Sequence, residues 1–379
     1  MSSQFEKVKN WLLNSGLVIS NIENENCGSV HSFYDEQKKE YAFLYPEITG
    51  YYLSTLCFLY NKENNEQYKH LAKNSADWLI DLFNKYGGIV QGINHDTSRQ
   101  KTVYSFDTAI CAKGLIDFYL VTGDSKFLDY GKQMCHWLIE SALENDGTVK
   151  PMKDLQKNEF LENTDVWYKQ KGCFAIKIVM PIVQLYKVLK DPKLLKAINL
   201  ICDTSPLYQN DNGSFSLHAN GKIINLHTLC YAVEGLLYAY HLTKNEKYFL
   251  SCKAAVNWCT KNIKNNGSIN LWFNSKHNVI ASYPIAQLLR IMILLDKLGD
   301  SPNFKQQEDK LYKYLISFQA SSPNSKIDGG FYEETYKSIF GWKKRLNLNS
   351  WASMFSLQAL YWYDNYEKID FEKEIEFLY

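Results

Sequence analysis

Two kinds of helical pattern alternate along the chain. In the stretches near 65–85 ("NEQYKHLAKNSADWLIDLF"), 125–143 ("SKFLDYGKQMCHWLIESAL"), 246–264 ("EKYFLSCKAAVNWCTKNI") and 302–319, apolar residues recur every three and four positions. That spacing gives one buried stripe and one solvated face. The segment at roughly 4–14 is of the same kind. Between these stretches lie helices that are apolar nearly all round, starting near Glu47, Asp107, Cys173, His227, Tyr283 and Ser350, at intervals of 54 to 67 residues. A turn containing glycine precedes each: "CGSVHSF", "YGGIVQGI", "DGTVKPM", "NGSFSLHA", "NGSINLWF" and "DGGFYEE". Each sets Gly beside a turn former and then alternates apolar with polar residues, which predicts a tight turn and a short extended segment.

Six apolar helices paired with six one-faced helices predict two concentric rings, an all-α (α/α)6 toroid of six helical hairpins. The short linkers "NKENNEQY", "VTGDSKF" and "LTKNEKYF" permit only antiparallel neighbours. A linear solenoid of helix pairs is the alternative, and it requires polar terminal caps. No Pro/Gly/Ser linker divides the sequence, so residues 1–379 are read as a single domain.

Composition narrows the function classes. The chain has 379 residues and is 46% hydrophobic, enough for a large core. Lys plus Arg number 42 against 41 Asp plus Glu, so there is no general attraction to nucleic acid or anionic membrane, and a polyanion partner requires a local patch. The first residues do not read as a signal peptide, and no run of about 18 apolar residues occurs. These features predict a cytoplasmic protein without a membrane span. The nine cysteines form no CxxC pair, and Cys57, Cys111, Cys230 and Cys259 lie within apolar helical patterns. Reduced core thiols are expected, with no metal and no cofactor. An aromatic content of 15%, including 27 Tyr, suits a cavity whose walls stack against sugar rings.

In a toroid all inner helices point the same way, so their positive N-termini gather at one mouth. The polar residues at those starts are the candidate site. Glu47, in "YPEITGYY" beside Tyr45 and Tyr51, and Asp107, in "SFDTA", are the candidate acid and base; their bland reading is as helix-start caps. His227 opens the fourth inner helix with Glu234 two turns deeper on its face, which predicts an oriented proton-transfer group. Tyr231 lies between them. Lys177 interrupts an apolar helix and must meet Glu47, Asp107, Glu234 or an acidic group of a ligand. Arg290 raises the same question, with outward snorkelling as the simpler reading. Lys171, His218, Tyr283, Gln287, Asn349 and Trp351 complete the candidate substrate-binding set, Asn349 also as a helix cap. His31, His70, His95, His136, His241 and His277 lack such placement.

The motifs "YPEITGY" (45–51), "FDTA" (106–109), "GCFAIK" (172–177), "HTLCYAVEGLL" (227–237), "YPIAQL" (283–288) and "NSWASMFSLQAL" (349–360) give the sequence a family likeness. It resembles the six-hairpin carbohydrate-active proteins, among them unsaturated glucuronyl hydrolases and N-acylglucosamine 2-epimerases. It resembles more closely the toroid proteins of bacterial surface-polysaccharide biosynthesis clusters. The resemblance implies acid/base chemistry on a saccharide or nucleotide sugar: glycoside hydrolysis or elimination first, epimerisation second. A non-catalytic glycan-binding protein is the rival class. Asp107 looks equivalent to the aspartate that protonates an enol ether in the glucuronyl hydrolases. Of the two histidines used by the epimerases, His227 alone has a counterpart position. Toroid prenyltransferases are less similar, because neither a DxDD run nor a zinc triad is present.

Overall fold

The computed structural model describes residues 2–93, 97–163, 166–299 and 303–379; His95 lies outside them. The six inner helices are Pro46–Glu63, Ser105–Thr122, Val179–Leu189, Leu226–Thr243, Ser282–Lys297 and Ser350–Asp364. Each touches the next in order, and the sixth packs on the first. That closure rules out the linear solenoid. The outer helices Glu66–Tyr86, Ser125–Trp137, Pro192–Cys202, Glu246–Asn262 and Lys305–Ile316 each pack on the inner helix before them, and Ser3–Asn14 covers the sixth. The outer helix Pro192–Cys202 is not among the amphipathic stretches picked out above, although Leu194, Ala197, Ile198 and Ile201 bury one stripe of it.

The hairpin linkers are built alike. Inner helices end on a left-handed residue, Asn64, Gly123, Lys190 or Lys244, and the next residue caps the outer helix. Those caps, Asn65, Asp124, Asp191 and Asn245, each accept from the backbone N–H two residues on. Such a two-residue reversal forces the antiparallel pairing. The third inner helix starts differently. Pro181 has no N–H to give to the carbonyl of Lys177, so the preceding Cys173–Ile178 winds as a 3-10 turn before α-helix begins.

At the mouth, short antiparallel strands tie neighbouring repeats together. Phe33–Asp35 pairs with Asn347–Asn349, Thr102–Tyr104 with Met152–Asp154, Ile224–Asn225 with Trp272–Phe273, and Val279–Ala281 with Glu334–Ser338. The turn glycines lock this collar onto the outer ring. A Cβ on Gly147 would meet the Leu200 carbonyl at 2.1 Å, and one on Gly267 the Lys310 carbonyl at 2.1 Å, with φ at +85° and +86°. Only glycine fits there.

The other end of the ring is filled by the C-terminal segment. Glu374 pairs with Lys62 at 2.5 Å, Glu376 pairs with Lys187 and His241, and Gln358 donates to the Phe377 carbonyl at 2.7 Å. Tyr379 is wholly buried, against Phe355 and Tyr51. All nine cysteines are free, and all but Cys27 are buried. Among the described residues no helix is long and apolar enough to cross a membrane.

Candidate active site

The first two inner helices approach unusually closely. A Cβ on Gly114 would lie 2.7 Å from the Gly50 carbonyl, and one on Gly50 would touch the Cys111 backbone at 3.0 Å. This contact brings the first turns of both helices, and with them Glu47 and Asp107, to a shared wall. A cavity of about 280 Å³ opens there. It is lined by Glu47, Asp107, His227 and Glu333 and by a near-continuous aromatic surface that includes Tyr45, Tyr231, Tyr283 and Trp351.

Neither carboxyl caps its helix. The cap residues are Tyr45 and Tyr104, and neither makes a side-chain cap bond. Asp107 is 5% exposed, and its Oδ2 has no hydrogen-bond partner among the described residues. Desolvation, and then the neighbouring Glu47 charge, hold the Asp107 carboxyl well above the usual range. Desolvation also raises Glu47 to about 7, opposed by a hydrogen bond with Tyr45 and by the charge of Lys177. Two buried carboxyls that repel each other give up protons less readily than free ones, and with Glu47 near 7 one side of the cavity can both hold and take up a proton.

Beneath the cavity floor lies a sealed polar chain. Lys177 donates to Glu234 Oε2 at 2.7 Å, and Arg290 donates to Glu234 Oε1 at 2.7 Å and to Gln358 Oε1 at 2.7 Å. Gly235 makes the Lys177 contact possible, since a Cβ there would strike the Ile176 carbonyl at 2.5 Å. Of the partners expected for Lys177, Glu234 is the one it bonds. It does not line the cavity and is fully buried, so it is placed to hold Glu234 rather than an acidic group of a ligand. Arg290 does not snorkel outward. Its helix belongs to the inner ring, and the guanidinium turns into the pore, 4.4 Å from the Phe355 ring centroid.

The chain continues upward. Gln287 Nε2 donates to Glu234 Oε2 at 3.2 Å, and Gln287 Oε1 lies 2.6 Å from His227 Nδ1. A carboxylate only accepts, so the amide nitrogen of Gln287 faces Glu234 and its oxygen faces the imidazole. His227 therefore carries its proton on Nδ1 and keeps the Nε2 lone pair free. Burial, with Lys177 and Arg290 nearby, depresses its pKa to about 3. Glu234 does lie behind His227, as expected, but through Gln287 rather than in direct contact.

Tyr51 also sits below the floor, its hydroxyl 3.1 Å from that of Tyr231. Tyr231 packs against the His227 ring at 4.1 Å, Tyr283 meets it edge-on at 4.7 Å, and Trp351 follows at 6.1 Å from Tyr283. Asn349 caps the sixth inner helix by accepting from the Ala352 amide at 2.9 Å and is buried away from the cavity. Lys171 pairs with Glu144, and its carbonyl bonds His218 Nδ1 at 2.7 Å; neither side chain lines the cavity.

Sequence reasoning missed Gln91, Tyr104, Phe106, Trp167, Tyr168, Phe174 and Glu333, which also line it. Most lie in or beside the strands and turns of the collar. Glu333 is the closest to having been visible, because it stands in the quoted turn "DGGFYEE". Desolvation and Glu334 raise its carboxyl to about 7. Among the described residues no group of His, Cys, Asp and Glu is arranged to hold a metal ion.

No family model matches the sequence, and no curated protein matches it. Solved structures share its fold. A cellobiose 2-epimerase from Bacillus thermoamylovorans superposes with a TM-score of 0.76 at 14% identity, covering 97% of this chain and 100% of the other. A D-mannose isomerase gives 0.76 at 12% identity, covering 95% of each chain. An unsaturated glucuronyl hydrolase specific for heparin gives 0.71 at 13%, covering 97% and 98%. At such identities the likeness establishes architecture: the chain has the (α/α)6 toroid fold in which these sugar epimerases, isomerases and hydrolases are built.

Proposed function

We propose that this toroid is a carbohydrate-active enzyme that performs acid/base chemistry on a saccharide held in its mouth, by glycoside hydrolysis or elimination. The observation that carries the reading is the Glu47–Asp107 pair, two buried carboxyls on adjacent inner-helix starts that face one aromatic cavity. Asp107, whose Oδ2 has no partner of its own among the described residues, donates to the departing glycosidic oxygen or to the double-bond carbon of an enol ether. Glu47 accepts a proton or supports the attacking group, and His227 assists. Tyr231, Tyr283 and Trp351 stack the sugar ring. Asp107→Asn and Glu47→Gln should each lower turnover by roughly 10²–10⁴-fold without loss of folding. Retained activity together with lost folding would sink the assignment.

A second reading, sugar epimerisation, draws on the neutral His227. An imidazole with a free Nε2 at the cavity wall is a base for a C–H proton, and a carboxylic acid across the cavity returns it. Substrate recovered from deuterated water separates the two readings: deuterium on ring carbon favours epimerisation. A protein that binds glycans but turns none over would keep its affinity in the Glu47→Gln/Asp107→Asn double variant.

The motif resemblance supports placing the activity in bacterial surface-polysaccharide metabolism, in the cytoplasm. A nucleotide sugar has less support than a plain saccharide, because no lysine or arginine lines the cavity among the described residues to receive a diphosphate. Closure of the ring by Ser3–Asn14 on the sixth inner helix supports reading residues 1–379 as a single domain.

A further inference from the structure

Between the cavity rim and the sixth inner helix, the chain makes an excursion that starts in the collar and whose tip neither the core nor the site uses. Strands Glu334–Ser338 and Gly341–Lys344 form a hairpin, with Lys337 opposite Trp342 and Tyr336 opposite Lys343. Its tip is ordered: the Phe340 amide donates to Ser338 Oγ at 3.1 Å, and Ser338 Oγ donates to the Gly341 carbonyl at 2.9 Å. Yet the tip is greasy. Ile339 is 93% exposed, Phe340 82% and Trp342 50%. Solvent-facing hairpins are ordinarily polar, and a cluster of large apolar residues at a turn marks a contact surface.

The stem is cationic. It carries Lys337, Lys343, Lys344 and Arg345, and no Asp or Glu occurs from 335 to 363. Arg345 pairs with Glu334 at 2.9 Å, whereas the three lysines have no carboxylate partner among the described residues. In a chain of net charge +1, this is a concentrated positive patch.

We propose that this hairpin docks the mouth end of the toroid onto an anionic membrane surface, with Ile339, Phe340 and Trp342 entering the interface and the lysines meeting lipid phosphates. The combination selects this occupant. A polyanionic glycan would engage the lysines and leave Ile339 and Phe340 in water. A second copy of the chain would cover the tip, but two-fold symmetry would set lysines against lysines. A bilayer surface satisfies both at once, since aromatic and aliphatic groups settle at headgroup depth and cations are drawn to acidic lipid. The stem begins one residue after Glu333, which lines the cavity. Docking therefore turns the mouth toward the lipid, whatever reaction takes place there.

The test is vesicle co-sedimentation of the full chain at low salt, with phosphatidylcholine alone and with phosphatidylcholine mixed with phosphatidylglycerol. Three variants accompany the parent: Ile339→Ser/Phe340→Ser, Trp342→Ser, and Lys337→Gln/Lys343→Gln/Lys344→Gln. The parent should sediment with the anionic vesicles only and be released by added salt. Removing three lysines should weaken binding on the order of a hundredfold, at roughly fivefold per charge. Each apolar variant should weaken it about tenfold, with melting curves unchanged because the tip is exposed. The variants are independent, so a folding defect in one leaves the others readable. Equal binding to neutral vesicles, binding to neither, or full binding by both apolar variants overturns the proposal. So does capture by dextran sulfate without vesicle binding, which reassigns the lysines to a polyanionic glycan. A dimer abolished by the Ile339→Ser/Phe340→Ser change reassigns the tip to self-association.

Discussion

Glu47 holds a proton that it would release in the unfolded chain, and this opposes folding as pH rises. Its carboxyl is raised from 4.5 to about 7 in the fold, so its folded form binds more protons than the unfolded form across that window. Stability is greatest below pH 4.5 as far as this group is concerned, and it declines as pH rises through about 7. Glu47→Gln should remove the decline and melt higher than the parent at pH 8, by roughly 1–3 kcal/mol in urea titrations; a variant less stable there contradicts the account. His227 has the opposite sign. Its pKa is depressed to about 3, so the stability it favours is present above about 6.5 and lost as pH falls. Its ring resonances should not titrate between pH 5 and 8, and an acid limb near 7 in the rate profile belongs to a carboxyl. The expected site residues that reached the cavity all stand within two residues of an inner-helix start or one turn beyond it, as with Tyr231. Lys171 and His218 did not, because they lie in loops whose course depends on pairing with other loops, Lys171 with Glu144 and His218 with the Lys171 carbonyl. Loop placement of that kind leaves no periodicity to read.

At the scale of elements, the helices were legible because burial on all sides and burial on one side write different patterns, and the glycine turns punctuate them. The same turns give a graded prediction. Gly147→Ala and Gly267→Ala place a methyl inside the backbone of an outer helix, and each should cost about 3 kcal/mol or more in urea unfolding. Gly87 occupies the equivalent place in "YGGIV", but nothing lies within 4 Å of its would-be Cβ. Gly87→Ala should cost only about 1–2 kcal/mol, the left-handed backbone penalty alone. Equal losses at Gly87 and Gly147 would mean that the close approach to the outer helix carries no weight. What the pattern did not reveal was the collar itself. Its strands are two to five residues long, too short for alternation to register, and each is specified by its partner from another repeat.

For the whole molecule, ring closure depends on the two ends of the sequence meeting. Trp11 is fully buried, donates to the Lys326 carbonyl at 3.0 Å and packs on the sixth inner helix's hairpin. Trp11→Ala should cost about 3–5 kcal/mol and, if the ring is one cooperative unit, lower a single transition rather than create a second. A biphasic melt would show a seam. The C-terminal segment was not anticipated, because "YEKIDFEKEIEFLY" reads as an ordinary short helix, and its docking is set by lysines, a histidine and a glutamine on four distant helices. With Tyr379 seated in the pore, the described residues fill the end of the ring opposite the mouth. Under the proposed chemistry a glycan therefore comes to Glu47 and Asp107 from the mouth side rather than by threading through the ring. Each product then leaves by the route its successor must enter.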